Sequence, residues 1–258
     1  MSPTTYPNAL TLLARGVCVA WILVFASHNS LAGAAEADVA FEAKNYVEAY
    51  KEWDALAKKG DAAAQLNLGF LYSRGFGVPL DYSKAAEWWG KATAQHMVEA
   101  ELNLGLLYSW GKGVRQDDAK AVELWRSAAV KGLPEAQQYL GYMYFLGKGV
   151  PQSGADAVFW STKAAVQGDI DAQVNLATAY LNGEAVNKNY RLAFYWYEKA
   201  AQKNDGKAQF NLGVMYLKGV GVEENTELAI QWLKRSAAQG YDGAEEALNR
   251  IQAAFKKT

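Results

Sequence analysis

The chain has 258 residues, 51% of them hydrophobic, and a formal net charge of −1 from 26 Lys+Arg and 27 Asp+Glu. That balance excludes the basic footprint of a nucleic-acid binder, and the apolar content excludes intrinsic disorder. One cysteine, Cys18, and two histidines, His28 and His96, exclude a disulfide framework and a cysteine-based metal site.

Residues 1–35 hold no Asp or Glu and a single cation, Arg15, followed by the apolar run from Val17 to Ala26. A bilayer span needs about 20 apolar residues, so this run reads instead as the core of a secretory signal. The small residues Ala32-Gly33-Ala34 supply a cleavage pattern. Residues 1–34 are therefore expected to be a cleaved signal peptide that sends the chain to the periplasm or outside the cell, with an uncleaved N-terminal anchor as the alternative. No stable membrane insertion is expected after cleavage. The mature chain would lack cysteine, so its stability has to come from packing rather than disulfides.

From residue 36 onward the chain repeats itself every 36 residues. Ala64, Ala100, Ala136, Ala172, Ala208 and Ala244 share one register, followed four residues on by Leu68, Leu104, Leu140, Leu176, Leu212 and Leu248. Tyr72, Tyr108, Tyr144, Tyr180 and Tyr216 recur at offset 8 from the alanine, then Gly75, Gly111, Gly147, Gly183 and Gly219. Offsets 0, 4 and 8 lie on one helical face, and a second Ala with a Trp three residues later marks a second helix. Each repeat is thus a helical hairpin, and a period of this length marks a stacked solenoid.

The hairpin turns read Gly-x-Gly-Val, with glycine supplying left-handed backbone at the end of the first helix. The fourth turn has Ala185 in place of the second glycine. An alanine forced to positive φ costs about 1–2 kcal/mol, which predicts that this loop bends differently. Asn45, Asp81, Asp117, Ser153, Asn189 and Asn225 recur just before the second helices, and all are favoured N-cap types. The boundaries follow: a partial leading repeat over 35–60, five repeats at about 61–96, 97–132, 133–168, 169–204 and 205–240, and a polar capping helix over 241–258.

The pattern Ala-x-x-x-Leu-Gly-x-x-Tyr-x-x-Gly-x-Gly-Val, followed by Asp or Asn, Ala, Trp and Ala-Ala-x-x-Gly, resembles the Sel1-like repeat, a relative of the tetratricopeptide repeat. The resemblance covers residues 36–256. It implies an all-α, right-handed α/α superhelical solenoid that serves as a scaffold for protein–protein or protein–peptide contacts. One subset of the family carries a disulfide in each hairpin. This chain has no cysteine in any repeat, so activities proposed for that subset do not transfer.

No catalytic constellation emerges. His96 occupies a slot held elsewhere by Gly132, Gly168 and Gly240, where a cation suits the end of a helix. The carboxylate pairs Asp117-Asp118, Glu223-Glu224 and Glu245-Glu246 lie at helix starts, where negative charge is structural. No nucleophile elbow occurs, and the Gly-x-Gly turns lack the strand and helix of a dinucleotide site. No enzyme activity, cofactor or metal is expected. Trp53, Trp88, Trp125, Trp160, Trp196 and Trp232 read as packing between helices rather than a sugar-stacking ladder.

At 100° per residue, offsets 0, 4, 7 and 8 of the first helix face the interior, and offsets 2, 3, 6 and 10 point away. In tetratricopeptide-like stacks, the resemblance implies, this outer face lines the concave groove. The expected partner-binding residues are Asn67, Phe70, Arg74, Asn103, Leu106, Trp110, Tyr139, Tyr142, Asn175 and Asn211. An amide ladder flanked by aromatics suits a peptide backbone and its side chains, with Tyr139 and Tyr142 marking a pocket at the third repeat. The asparagines equally suit hydrogen bonds within or between repeats. The function expected is an exported scaffold that binds an envelope protein or peptide as adaptor, regulator or inhibitor. The alternative is a protein that binds or hydrolyses cell-wall glycan. The oligomeric state is left open.

Overall fold

The computed structural model describes residues 34–255; the expected signal segment lies outside them, save for Ala34, which opens the first helix. Thirteen α-helices and no strand form among the described residues: α1 (Ala34–Glu42), α2 (Tyr46–Lys58), α3 (Ala62–Arg74), α4 (Tyr82–Ala94), α5 (Val98–Trp110), α6 (Asp118–Val130), α7 (Pro134–Leu146), α8 (Gly154–Val166), α9 (Ile170–Asn182), α10 (Tyr190–Gln202), α11 (Gly206–Lys218), α12 (Thr226–Ala237) and α13 (Asp242–Phe255). The fold is an all-α repeat solenoid of helical hairpins. The described residues pack as two compact units, one of 34–107 with 112–114 and the other of 108–111 with 115–255.

Helix ends follow from local chemistry in both units. The side chains of Asn45, Asp81, Asp117, Ser153, Asn189 and Asn225 each accept the backbone N–H three residues on. Asp61, Asp169 and Asp205 cap the first helices α3, α9 and α11 in the same way, a recurrence that the hydrophobic register does not reveal. Gly75 closes α3 at φ +70, and its N–H returns to the carbonyl of Leu71. The recurring tyrosine closes the turn with its backbone, since Asp81, Asp117, Ser153, Asn189 and Asn225 donate N–H to the carbonyls of Tyr72, Tyr108, Tyr144, Tyr180 and Tyr216.

The turn at Ala185 does not bend differently. Ala185 takes φ +63, beside +67 at Gly149 and +75 at Gly221. A Cβ added at Gly149 would stand 2.3 Å from the carbonyl oxygen of Asp118, and one at Gly221 would stand 2.2 Å from that of Tyr190. Each turn therefore presses on the first residue of the second helix one repeat earlier. For Ala185 that residue is Gly154, which has no side chain, and a Cβ placed there would come within 2.9 Å of the Ala185 Cβ. With no side chain at position 154, the Ala185 methyl group meets no Cβ from that residue.

In the first unit the core joins Ala49, Trp53, Leu56, Ala57, Ala64, Leu68 and Leu71, with Phe41 set against both Trp53 and Phe70. The Trp89 ring lies across Gly69, where a Cβ would fall 2.3 Å from its Nε1, and that nitrogen donates to the carbonyl of Leu66 at 3.0 Å. In the second unit Ala164, Ala172, Leu176, Ala193, Tyr197, Ala200, Ala208, Leu212 and Met215 form one cluster, and Leu233, Ala244 and Ile251 form another that includes the C-terminal helix.

The tryptophan register needs a correction. The innermost slot of the second helices holds Trp53, Trp89, Trp125, Ser161, Tyr197 and Leu233, and the first three are 2% exposed or less. Trp88, Trp160 and Trp232 stand one residue earlier and are half-buried; Trp196, in the same earlier slot, is buried. The face is set by the i, i+4 pair Ala85 and Trp89, which places Trp88 at its edge.

Candidate functional site

The face of the first helices that the sequence assigns to binding differs between the two units. In the first, Asn67, Asn103 and Leu106 are buried, at 1%, 0% and 1% exposure. The expectation that these positions point outward fails there, because the same strip carries Leu66 and Leu102 and is apolar enough to be covered. Phe70 is half-buried, edge-on to Phe76, with the exposed Arg74 guanidinium 5.8 Å from its ring centre. Trp110, which belongs to the second unit, is half-buried.

In the second unit the same slots are partly open. Tyr139 stacks on Trp125 with ring centres 5.0 Å apart, and burial pushes its phenol well above the usual range. Burial also raises Tyr142. Asn175 is half-buried. Asn211 donates to the carbonyl of Lys207 in the turn before it, so its amide bonds within its own helix. Thr178 bonds the carbonyl of Val174 and the hydroxyl of Tyr197. These groups share one strip of the first helices, and two of them, Asn211 and Thr178, spend their polar atoms within the stack.

A concavity forms between the first helix of the fifth repeat and α13. Phe210, Val214, Leu217 and Lys218 of α11 face Gly243, Glu246, Ala247, Arg250, Ile251 and Ala254 of α13 across a groove of about 530 Å³. That volume lies within the ordinary range for binding clefts, about 300–1,000 Å³. Most of these residues occupy offsets 2, 3, 6 and 10 of their helices, the strip that the sequence marks for binding. At the groove α13 carries alanine at offsets 3 and 10, where the neighbouring helix α11 carries Asn211 and Lys218, and a glycine, Gly243, beside Phe210. Phe210 leans on Tyr241 with ring centres 5.0 Å apart, which fixes one wall. The floor is apolar; Glu246 and Arg250 pair at 2.5 Å on the rim, and Lys218 adds a cation at the end of α11. An apolar floor with a charged rim takes up nonpolar side chains and excludes water around them. The sequence signal for the groove was the loss of Asn and Tyr from the last first-helix, which reads at first only as a cap.

Beneath this face runs a feature that the apolar register concealed. At offset 1, Gln65, Gln137, Gln173 and Gln209 are buried, and each donates to the carbonyl of a residue eight positions earlier: Ala57, Ala129, Ala165 and Ala201. Gln95, Gln167 and Gln239, from the far end of the same hairpin, donate to the side chains of Gln65, Gln137 and Gln209 at 2.7–2.9 Å. The result is a polar seam that stitches one repeat to the next. Among the described residues no group of three or more His, Cys, Asp or Glu side chains is placed to hold a metal ion, and no helix is long and apolar enough to cross a membrane.

Comparison with known proteins gives a consistent picture. The chain is 31% identical to a Sel1 repeat protein from Oxalobacter formigenes, covering 86% of this chain and 88% of that one with a TM-score of 0.77. It is 39% identical to c5321, a protective antigen present in uropathogenic Escherichia coli strains displaying an SLR fold, over 78% of this chain with a TM-score of 0.76. It spans only 43% of the length of that antigen. A putative Sel1 repeat protein from Klebsiella pneumoniae shares the fold at 24% identity, covering 79% of this chain and 99% of that one with a TM-score of 0.51. No curated protein gives a significant match. The Sel1 repeat pattern itself matches residues 62–96, 98–133, 134–169, 170–205 and 206–241. With five such repeats stacked as helical hairpins, the chain belongs to the Sel1 repeat family.

Proposed function

We propose that this protein is an exported scaffold that holds a protein partner of the cell envelope, with an apolar segment of that partner seated between α11 and α13, and that it acts as adaptor, regulator or inhibitor. The observation that carries this reading is the groove: an apolar floor built from the outward slots of the repeat, rimmed by Lys218 and the Glu246–Arg250 pair. Membership of a repeat family built for extended surfaces supports it, and so does the absence from the sequence of a nucleophile elbow. Export rests on the apolar run and small residues before Ala34.

The test fills the groove. Ala247→Trp and Val214→Asp, each checked for native helicity, are compared with the wild-type protein in affinity capture from its native envelope, followed by mass spectrometry. One partner captured in stoichiometric amount by the wild type and lost from both variants is the expected result. Retention of that partner by both variants, or hydrolysis of purified wall material by the protein, overturns the proposal.

A further inference from the structure

The outward faces of the second helices differ along the chain. In α2 and α6 the slot midway along that face is charged and paired: Lys51 bonds Glu48 at 2.9 Å, and Glu123 bonds Lys120 at 2.8 Å. The same slot in α8 and α10 holds Phe159 and Tyr195, which are 52% and 45% exposed. Val166 on the α8 face is 71% exposed, and Leu192 on the α10 face is 37% exposed.

Cations stand over these rings in register. Lys163, Lys199 and Arg235 are each 36 residues apart, and they lie 5.1 Å from the ring centre of Phe159, 5.6 Å from that of Tyr195 and 4.7 Å from that of Trp232. Among the described residues none of the three has a carboxylate within 4.0 Å, unlike the lysines of α2 and α6. Helices α8, α10 and α12 carry Lys163, Arg191, Lys199, Lys234 and Arg235 against Asp156, Glu198 and Glu227. Asp156 is held in the capping turn by Ser153 at 2.6 Å. The face is therefore apolar, aromatic and cationic together.

From this we infer that the outer face of α8, α10 and α12 adsorbs to a bilayer containing anionic phospholipid. Aromatic and aliphatic side chains enter the interfacial zone while lysine and arginine stay with the phosphates, and each cation near an anionic surface adds to the attraction. The rings stand out from the helices instead of lining a cleft, so they suit a deformable surface without a matching pocket. A second copy of the chain fits less well, because opposing this face to itself sets Lys163, Lys199 and Arg235 against their own kind. The surface is separate from the α11–α13 groove, and its test involves no protein partner.

Full-length protein is sedimented with vesicles of phosphatidylcholine alone and of phosphatidylcholine mixed with phosphatidylglycerol, at low and high salt. The expected result is partition onto the anionic vesicles that weakens with salt and falls about tenfold or more in Phe159→Ser/Tyr195→Ser and in Lys163→Glu/Lys199→Glu. Equal partition of wild type and both variants overturns the inference and places membrane binding elsewhere on the chain. Retention on immobilised polyglutamate but not on vesicles overturns it in favour of an acidic protein. A dimer in sedimentation equilibrium that Phe159→Ser/Tyr195→Ser dissolves assigns the face to self-association.

Discussion

Two single residues show how a neighbour decides what a side chain costs. Ala185 holds a left-handed conformation at φ +63, and Gly154 leaves the space its methyl group needs. Gly154→Ala should destabilise the protein by about 1–3 kcal/mol through the contact with Ala185. Ala185→Gly should be neutral to stabilising by about 1 kcal/mol, since it removes the positive-φ strain while giving back some backbone entropy. The double variant removes the contact between the two Cβ atoms but keeps the Ala185 carbonyl 2.7 Å from the added Cβ, so it should recover part of the loss; urea denaturation of the four proteins measures this coupling. Asp169 carries a different strain. Burial, with the charges of Asp171 and Glu135 nearby, raises its carboxyl from 3.8 to about 6. The folded protein holds this proton more tightly than the unfolded chain, so folding takes up a proton in that window and the contribution to stability falls as pH rises through it. Asp169 also caps α9 by accepting the N–H of Ala172, a role that asparagine keeps. Asp169→Asn should therefore raise the thermal midpoint at pH 7 and change little at pH 4, as followed by circular dichroism.

At the scale of the element, hydrophobic register and capping agree on where each helix starts, while the polar seam decides how one hairpin meets the next. Gln137 donates to the carbonyl of Ala129 at 3.0 Å and accepts from Gln167 at 2.8 Å. Gln137→Leu should cost about 1–3 kcal/mol, because it strands a buried carbonyl and removes the acceptor for a neighbouring amide. Gln167→Leu should cost less, since Gln167 is exposed and water replaces its contacts. Chemical denaturation of the two variants ranks them, and equal losses would contradict the role given to burial.

For the molecule as a whole, stacking of repeats makes stability a sum of local hairpins and their interfaces. The Trp89 ring fills the space over Gly69 in the α3–α4 hairpin. Trp89→Ala should cost about 3–5 kcal/mol. Hydrogen exchange should quicken first in α3 and α4, ahead of α11 and α12, because the lost contacts belong to one hairpin; uniform acceleration along the chain would refute this local accounting. The α11–α13 groove belongs to the same logic: a helix with small residues on one strip leaves a concavity against the helix beside it.

Period, hairpin, N-caps and turn glycines were legible from the residues alone, because each rests on chemistry within a few positions of the chain. The Ala64, Leu68 and Tyr72 face and the caps at Asp81 and Asn189 needed no tertiary information. Three features waited on it. The tryptophan slot shifted by one residue, since Trp88 and Trp89 both suit a helix and only packing against Gly69 chooses between them. The pairing of Gly154 with Ala185 joins positions 31 residues apart, which no local pattern connects. The openness of the binding face differs between Asn103 and Asn175, identical residues in one slot, because exposure is decided by what the surrounding strip brings with it. Local backbone chemistry sets a repeat; burial, which sums over distant neighbours, decides what the repeat presents.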